Sequence, residues 1–214
     1  MSYEVLIVTA HPDDAEVQMG GTIVKLVRKG HKILIVDLCD GEPTDYAEPG
    51  VRRAQAMAAA QILGADRLFL DLQDRMIQDS IPIRLQVANL IRTHRPRWVF
   101  GTAEACILPD HASVEPIVKA AVFYARLQNW AQVPGGELLG DTESWIVDRL
   151  FFPHCKMEPV WGDFHFAVDV SETYDLKKAA LAQYQSIFKP EDDPLLDLYE
   201  AEDLHMGRLL GVRY

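Results

Sequence analysis

The sequence predicts an α/β fold: a mostly parallel, Rossmann-like sheet with helices on both faces, in a single domain over residues 1–214. Three observations carry that expectation. Short apolar runs recur through the first half of the chain, the first of them β-branched and uncharged, as a strand covered on both faces requires. Between them the apolar residues fall at helical spacing. Glycines and prolines stand where one period gives way to the other.

The elements follow in order. Val5-Leu-Ile-Val-Thr-Ala10 is the first strand, and Val17, Met19, Ile23, Val24, Leu26 and Val27 mark the helix behind it, closed by Gly30 as a C-cap. Residues 32–38 form the second strand. A loop over 39–50, rich in Gly, Pro, Asp and Glu, leads to an alanine-rich helix over 51–63 that ends at Gly64. Residues 67–71 are a third strand, followed by the polar loop Gln73-Asp-Arg75. A helix over 83–93 stops ahead of Pro96, and the fourth strand spans 97–102. His111 stands at or near the start of a helix over 114–127. The second half is less regular: a loop over 129–144, strands at 147–152 and 164–169, and a helix over 172–188 capped by Ser171. Pro190-Glu-Asp-Asp-Pro194 then breaks the chain before a final helix over 198–210. Strand and helix alternating in this way call for parallel pairing through right-handed crossovers.

Composition narrows the partners. The net charge of −11, with no Lys/Arg cluster, argues against nucleic acid and against an anionic membrane surface. No stretch approaches the ~20 apolar residues that span a bilayer, and the N-terminus lacks a basic region followed by a signal-peptide core, so a cytoplasmic protein is expected. Cys39, Cys106 and Cys155 are odd in number and show no CxxC spacing. They read as reduced, partly buried thiols with a structural place, and Cys106, in the loop that leads to His111, could instead line the site. Gly20-Gly21 lies inside the first helix and is no GxGxxG turn, so a dinucleotide is not expected; the pair reads as a close approach of helix to strand.

The chemistry gathers at two strand ends. His11-Pro-Asp-Asp14 directly follows the first strand, and Pro109-Asp-His111 follows the fourth. In open α/β sheets, ligands bind outside those carboxyl ends. His11 and Asp14, three positions apart across a turn, can converge with His111 as three ligands that leave a position open, the pattern of a catalytic Zn2+ site. Manganese, iron or cobalt suit the same donors. A metal there acidifies a water and polarises a carbonyl. Asp13 could take the water's proton as general base, and Asp110 could orient an imidazole from behind. Taken alone, the first segment reads equally well as a turn histidine and a helix-capping aspartate. No GxSxG elbow supports a serine hydrolase.

At these residues the chain resembles the LmbE/PIG-L zinc deacetylases, which remove acetyl groups from N-acetylglucosaminyl compounds and related amides. The resemblance rests on Ala10-His-Pro-Asp-Asp-Ala-Glu16 with Gly20-Gly21-Thr22, and on Pro109-Asp-His111. It extends to Asp37-Leu-Cys-Asp-Gly-Glu42, to Arg52 with Leu63-Gly64, to Asp74-Arg75, and to Val168-Asp-Val-Ser-Glu172 with Lys177 and Tyr184. Short chains of this type are similar to the bacillithiol-pathway deacetylases. The resemblance implies zinc on His11, Asp14 and His111, Asp13 as base, sugar contacts from Arg52, Asp74 and Arg75, and often a homo-oligomer. Two positions depart from the family. Leu108 stands where the second motif usually carries a histidine that stabilises the oxyanion or protonates the leaving amine, and Gln55 stands where many relatives carry Glu. His154, His165 and Tyr184 are the candidates to replace that histidine.

The expected activity is therefore removal of acetyl from an N-acetylated amino sugar. The alternatives are an amidase acting on a thiol conjugate or other small amide, and a metabolite-binding homologue that has lost turnover because of Leu108.

Overall fold

The computed structural model describes residues 2–44, 47–103, 106–139, 141–156, 164–189 and 193–214. Its sheet comprises β1 (Val5–Thr9), β2 (Ile33–Cys39), β3 (Asp66–Leu72), β4 (Trp98–Gly101) and β5 (Arg149–Phe151). All pairings are parallel, in the order β3-β2-β1-β4-β5. The helices are α1 (Asp14–Arg28), α2 (Val51–Leu63), α3 (Ile81–His94), α4 (Pro109–Arg126), α5 (Tyr174–Leu181) and α6 (Pro194–Leu209).

Alternation along the strands decides which helix covers which face. Val5, Ile7, Ile33 and Ile35 pack with Ile23 of α1, Ala59 of α2 and Ala180 of α5. Leu6, Val8, Leu34 and Val36 pack with Leu85 and Ile91 of α3 and with Val114 and Ile117 of α4. Both faces of the central strands are covered, which is why β1 and β2 are nearly continuous apolar runs. From β1 the chain steps outward to β2 and β3, then returns to the other side of β1 as β4. The reversal opens a crevice at the carboxyl ends of β1 and β4, the switch point where such sheets bind ligands.

A buried ionic network locks α1 to the sheet. Arg67 of β3 donates to Asp37 Oδ2 of β2 at 2.5 Å and to Glu16 Oε1 of α1 at 2.6 Å. Tyr184 donates to Glu16 at 3.0 Å. Thr9 of β1 donates to Asp37 at 2.9 Å. The Arg67, Glu16 and Asp37 side chains are fully buried. Burial alone would lower the guanidinium pKa, but the carboxylates of Asp37 and Glu16 outweigh it and hold the charge firmly.

The structure departs from the sequence expectation in its second half. Residues 164–169 form no strand: Phe164, Phe166 and Val168 alternate, yet they are exposed and the segment pairs with no strand among the described residues. Phe166 instead rests edge-on against Phe151, their ring centroids 5.7 Å apart. The helix expected over 172–188 ends at Leu181, and turns follow. Ser171 does not cap it; its hydroxyl donates to Asp169 and accepts the Arg213 and Tyr214 N–H groups. Of the expected break at 190–194, residues 190–192 lie outside the described residues.

Gly20 and Gly21 do permit a close approach, though not to a strand. A Cβ on Gly21 would stand 2.7 Å from Val170 Cβ, and one on Gly20 would stand 3.0 Å from Lys177 Cγ of α5. Gly30, at φ 91°, follows α1 in the left-handed conformation that ends helices. Among the described residues no helix is long and apolar enough to cross a membrane.

Candidate metal centre

Beyond β1 the chain turns sharply at Asp13, whose φ of 105° lies in the left-handed region that non-glycine residues seldom enter. A short polar residue tolerates that conformation best. Arg52 of α2 holds the turn. Its Nη2 donates to Pro12 O at 2.8 Å and to Asp13 Oδ1 at 2.9 Å, and its Nη1 donates to Gly41 O at 2.8 Å. Asp14 opens α1, and its Oδ2 accepts the His11 N–H at 2.9 Å. On the neighbouring strand, Pro109 takes the first position of α4, where its missing N–H costs nothing. The helix thus starts earlier than expected, with Asp110 and His111 in its first turn.

Adjacency of β1 and β4 brings the two segments together. His11 Nδ1 lies 3.0 Å from His111 Nε2, and His111 Nε2 lies 3.1 Å from Asp14 Oδ1. His11 Nδ1 and Asp14 Oδ2 are 3.7 Å apart. Nitrogen and oxygen ligands of a tetrahedral zinc ion stand about 3.4 Å from one another, so these donors suit one such ion. The other ring nitrogen of His11 faces Asp74 Oδ1 at 3.1 Å and Asp110 Oδ2 at 3.2 Å. Asp110 is itself held by the Arg75 N–H at 2.8 Å and the Ile77 N–H at 3.2 Å. The β3–α3 loop is thereby tied to the start of α4.

The carboxylates of Asp13, Asp14, Asp74 and Asp110, gathered around the imidazoles of His11 and His111, make a site that attracts positive charge. Burial alone would lower His11, but its hydrogen bonds to Asp14 and Asp74 outweigh that and raise it to about 10. His111 likewise overcomes burial through the Asp14 charge and is raised to about 12. Asp14 is held well below its ordinary value: burial pushes up, and the charge of His111 with hydrogen bonds from both imidazoles pulls down harder. Asp13 is pushed up to about 6 by burial, against the pull of Arg52.

The other sequence candidates fall into different surroundings. Asp74 faces His11 from a nearly buried position. Arg52 is occupied within the protein, with Nε lacking a partner among the described residues. Arg75, at φ 65°, extends a side chain that is 71% exposed. Gln55 accepts from Ser186 N–H at 3.2 Å and joins α2 to the segment after α5. Leu108 precedes α4 and places no polar group at its start. Tyr184 is engaged by Arg67 and Glu16 at full burial, while His154 and His165 are exposed.

Two contributors were not read from the sequence. Cys155 follows β5, far along the chain from both motifs and in no readable spacing with them. Its Sγ nevertheless stands 3.9 Å from His111 Nδ1, and Cys106 Sγ stands 3.4 Å from the same nitrogen. Tyr199 of α6 is the second. It is buried against Phe188, and burial followed by the charges of Asp13 and Asp14 raises its hydroxyl. A surface cleft of about 710 Å³ beside Tyr3, Met57, Asp66 and His94 lies at the amino-terminal edge of the sheet, away from these groups.

Comparison with known proteins accords with this geometry. The signature of the PIG-L family, described as GlcNAc-PI de-N-acetylase, matches residues 6–122, more than half of the chain. The chain belongs to the PIG-L family. The matched span contains His11, Asp13, Asp14, Asp110 and His111. Among its relatives is the diacetylchitobiose deacetylase of Thermococcus kodakarensis, 27% identical over 99% of this chain and 80% of that protein. Another is the 4-oxalmesaconate hydratase of Pseudomonas putida, 26% identical over 82% of this chain and 70% of that protein. The crystal structure of a conserved protein from Thermus thermophilus superposes with a TM-score of 0.83 at 32% identity, covering 99% of this chain and 91% of that one. PIG-L membership and the Rossmann-like sheet therefore stand together.

Proposed function

We propose that the chain is a cytoplasmic, zinc-dependent hydrolase that removes the acetyl group from an N-acetylated amino sugar, such as an N-acetylglucosaminyl conjugate. One observation carries this reading: His11 Nδ1, the Asp14 carboxylate and His111 Nε2 converge at the carboxyl edge of a PIG-L sheet. The diacetylchitobiose deacetylase among its relatives supports the substrate class. Cys39, Cys106 and Cys155, none of them in a disulfide, suit a reducing compartment.

His11, Asp14 and His111 would hold the zinc. When bound, the ion supplies Lewis acidity, which makes a water more acidic and an acyl carbonyl more electrophilic. The protein's own groups do the rest. Asp13, fixed by Arg52 through Oδ1, takes the proton of the attacking water on its carboxylate. With Leu108 at the start of α4, the same Asp13 returns that proton to the amine nitrogen as the C–N bond breaks, releasing the amine and acetic acid, which ionises to acetate. Asp110 and Asp74 accept from His11 Nε2 and keep Nδ1 turned toward Asp14 and His111, where it would serve as a zinc ligand. Arg75 reaches out from the rim toward the sugar, while Arg52 and Asp74 shape the inner wall.

Removing the carboxylate behind His11 tests the positioning role. Asp110→Ala is expected to weaken zinc binding by about 10–100-fold, read by competition with a chromophoric chelator. Unchanged affinity would take Asp110 out of that role.

A second reading has its own support. One relative is a hydratase, and adding water expels no amine, so Leu108 is no handicap to a reaction of that class. The deciding assay measures acetate release from a panel of N-acetylglucosamine derivatives by zinc-loaded and chelated protein. Zinc-dependent release is expected. Water addition to 4-oxalmesaconate, with no acetate released, would replace the deacetylase by the hydratase; neither reaction, with zinc bound, would leave a binding role.

A further inference from the structure

His111 has two ring nitrogens, and the candidate metal centre would draw only on Nε2. Its Nδ1 points the other way, between Cys106 Sγ at 3.4 Å and Cys155 Sγ at 3.9 Å. All three donor atoms lie within 4.8 Å of one another. Zinc bonds of about 2.3 Å to sulfur and about 2.0 Å to nitrogen, at tetrahedral angles, place a sulfur and a nitrogen ligand about 3.5 Å apart. The two observed separations bracket that spacing. The donors come from unrelated parts of the chain: Cys106 from the loop ahead of α4, His111 from its first turn, and Cys155 from the segment beyond β5. Cys155 is buried and Cys106 half-buried, so an ion reaching them would keep one side toward solvent.

We propose that Cys106, Cys155 and His111 Nδ1 form a second cation site, for a thiophilic divalent ion such as zinc or cadmium, on the far side of the His111 ring. Sulfur donors select soft cations, which the oxygen and nitrogen donors of the first centre do not. A disulfide would need only the two sulfurs; the imidazole nitrogen set against both is what a metal needs in addition. Filling this site replaces the proton on Nδ1 and those on the two thiols, so three protons leave as one ion enters. His111 then bridges two cations. The inference stands on these donors alone and does not depend on the acetamide reaction.

The test is a cadmium titration of the fully reduced, metal-free chain, followed by thiolate-to-cadmium charge-transfer absorbance in the ultraviolet and by calorimetric stoichiometry. Wild-type protein is expected to show the band and to bind two ions. Cys106→Ser, in the half-buried position, should weaken the band without abolishing it, and the double variant with Cys155→Ser should lose it and bind one ion. Circular dichroism and thermal unfolding of both variants report whether the fold is kept. A band that persists in the double variant, or wild-type protein that shows none, overturns the proposal. So does a Cys106–Cys155 disulfide forming in place of the band, seen as two thiols lost.

Discussion

Asp13→Asn is expected to lower kcat/KM for acetamide hydrolysis by about 10²–10⁴-fold while zinc content stays at the wild-type level. The substitution is matched in shape. Asparagine accepts the left-handed backbone that Asp13 adopts at φ 105°, and its amide oxygen can still accept from Arg52 Nη2. What it cannot do is take a proton from water. His11, Asp14 and His111 are untouched, so metal binding and catalysis separate in one variant. Steady-state kinetics with metal analysis of the same sample reads both. A fully active Asp13→Asn enzyme would remove Asp13 as the base; loss of zinc together with activity would recast it as support for the ligand turn.

The second large effect is on stability. Arg67→Met is expected to destabilise the fold by about 3–5 kcal/mol, because it strands the buried carboxylates of Glu16 and Asp37 without their cation. Methionine fills much of the space, so the loss is mainly electrostatic. Chemical denaturation compares the variant with wild type. Adding Glu16→Gln and Asp37→Asn to Arg67→Met should recover a large part of the loss, since no unpaired charge is then buried. A deficit below about 1 kcal/mol for the single variant would place the network among surface-like ion pairs and contradict its burial. The consequence reaches the metal centre: Glu16 sits two residues beyond Asp14 in α1, so the network anchors the helix that carries a candidate ligand.

Much of the fold was legible because its strands are covered on both faces. Val5-Leu-Ile-Val-Thr-Ala10 and residues 32–38 have no polar face, and that alone distinguishes a buried parallel sheet from a half-solvated antiparallel one. Residues 164–169 show where this reasoning fails. Phe164, Phe166 and Val168 alternate as a strand does, but alternation describes a chain's local period and does not supply a neighbour to pair with. The helix after Ser171 was overextended for a related reason: residues 182–188 have apolar side chains at helical spacing, yet they turn so that Tyr184 can reach Glu16 and Arg67.

The candidate centre divides in the same way. The sequence by itself determined that His11, Asp13 and Asp14 crowd one turn at a strand end, and that Asp110 and His111 crowd another, because such neighbours are set by covalent spacing. Only the tertiary structure decided that the two turns meet, since that requires β4 to return beside β1 rather than to extend the sheet beyond β3. It also decided that Asp74 and Asp110 share His11, that Arg52 holds Asp13, and that Cys155 comes to the back of His111. Those contacts join strand ends, loops and helices distant along the chain, and spacing in sequence carries no information about distances that packing alone sets.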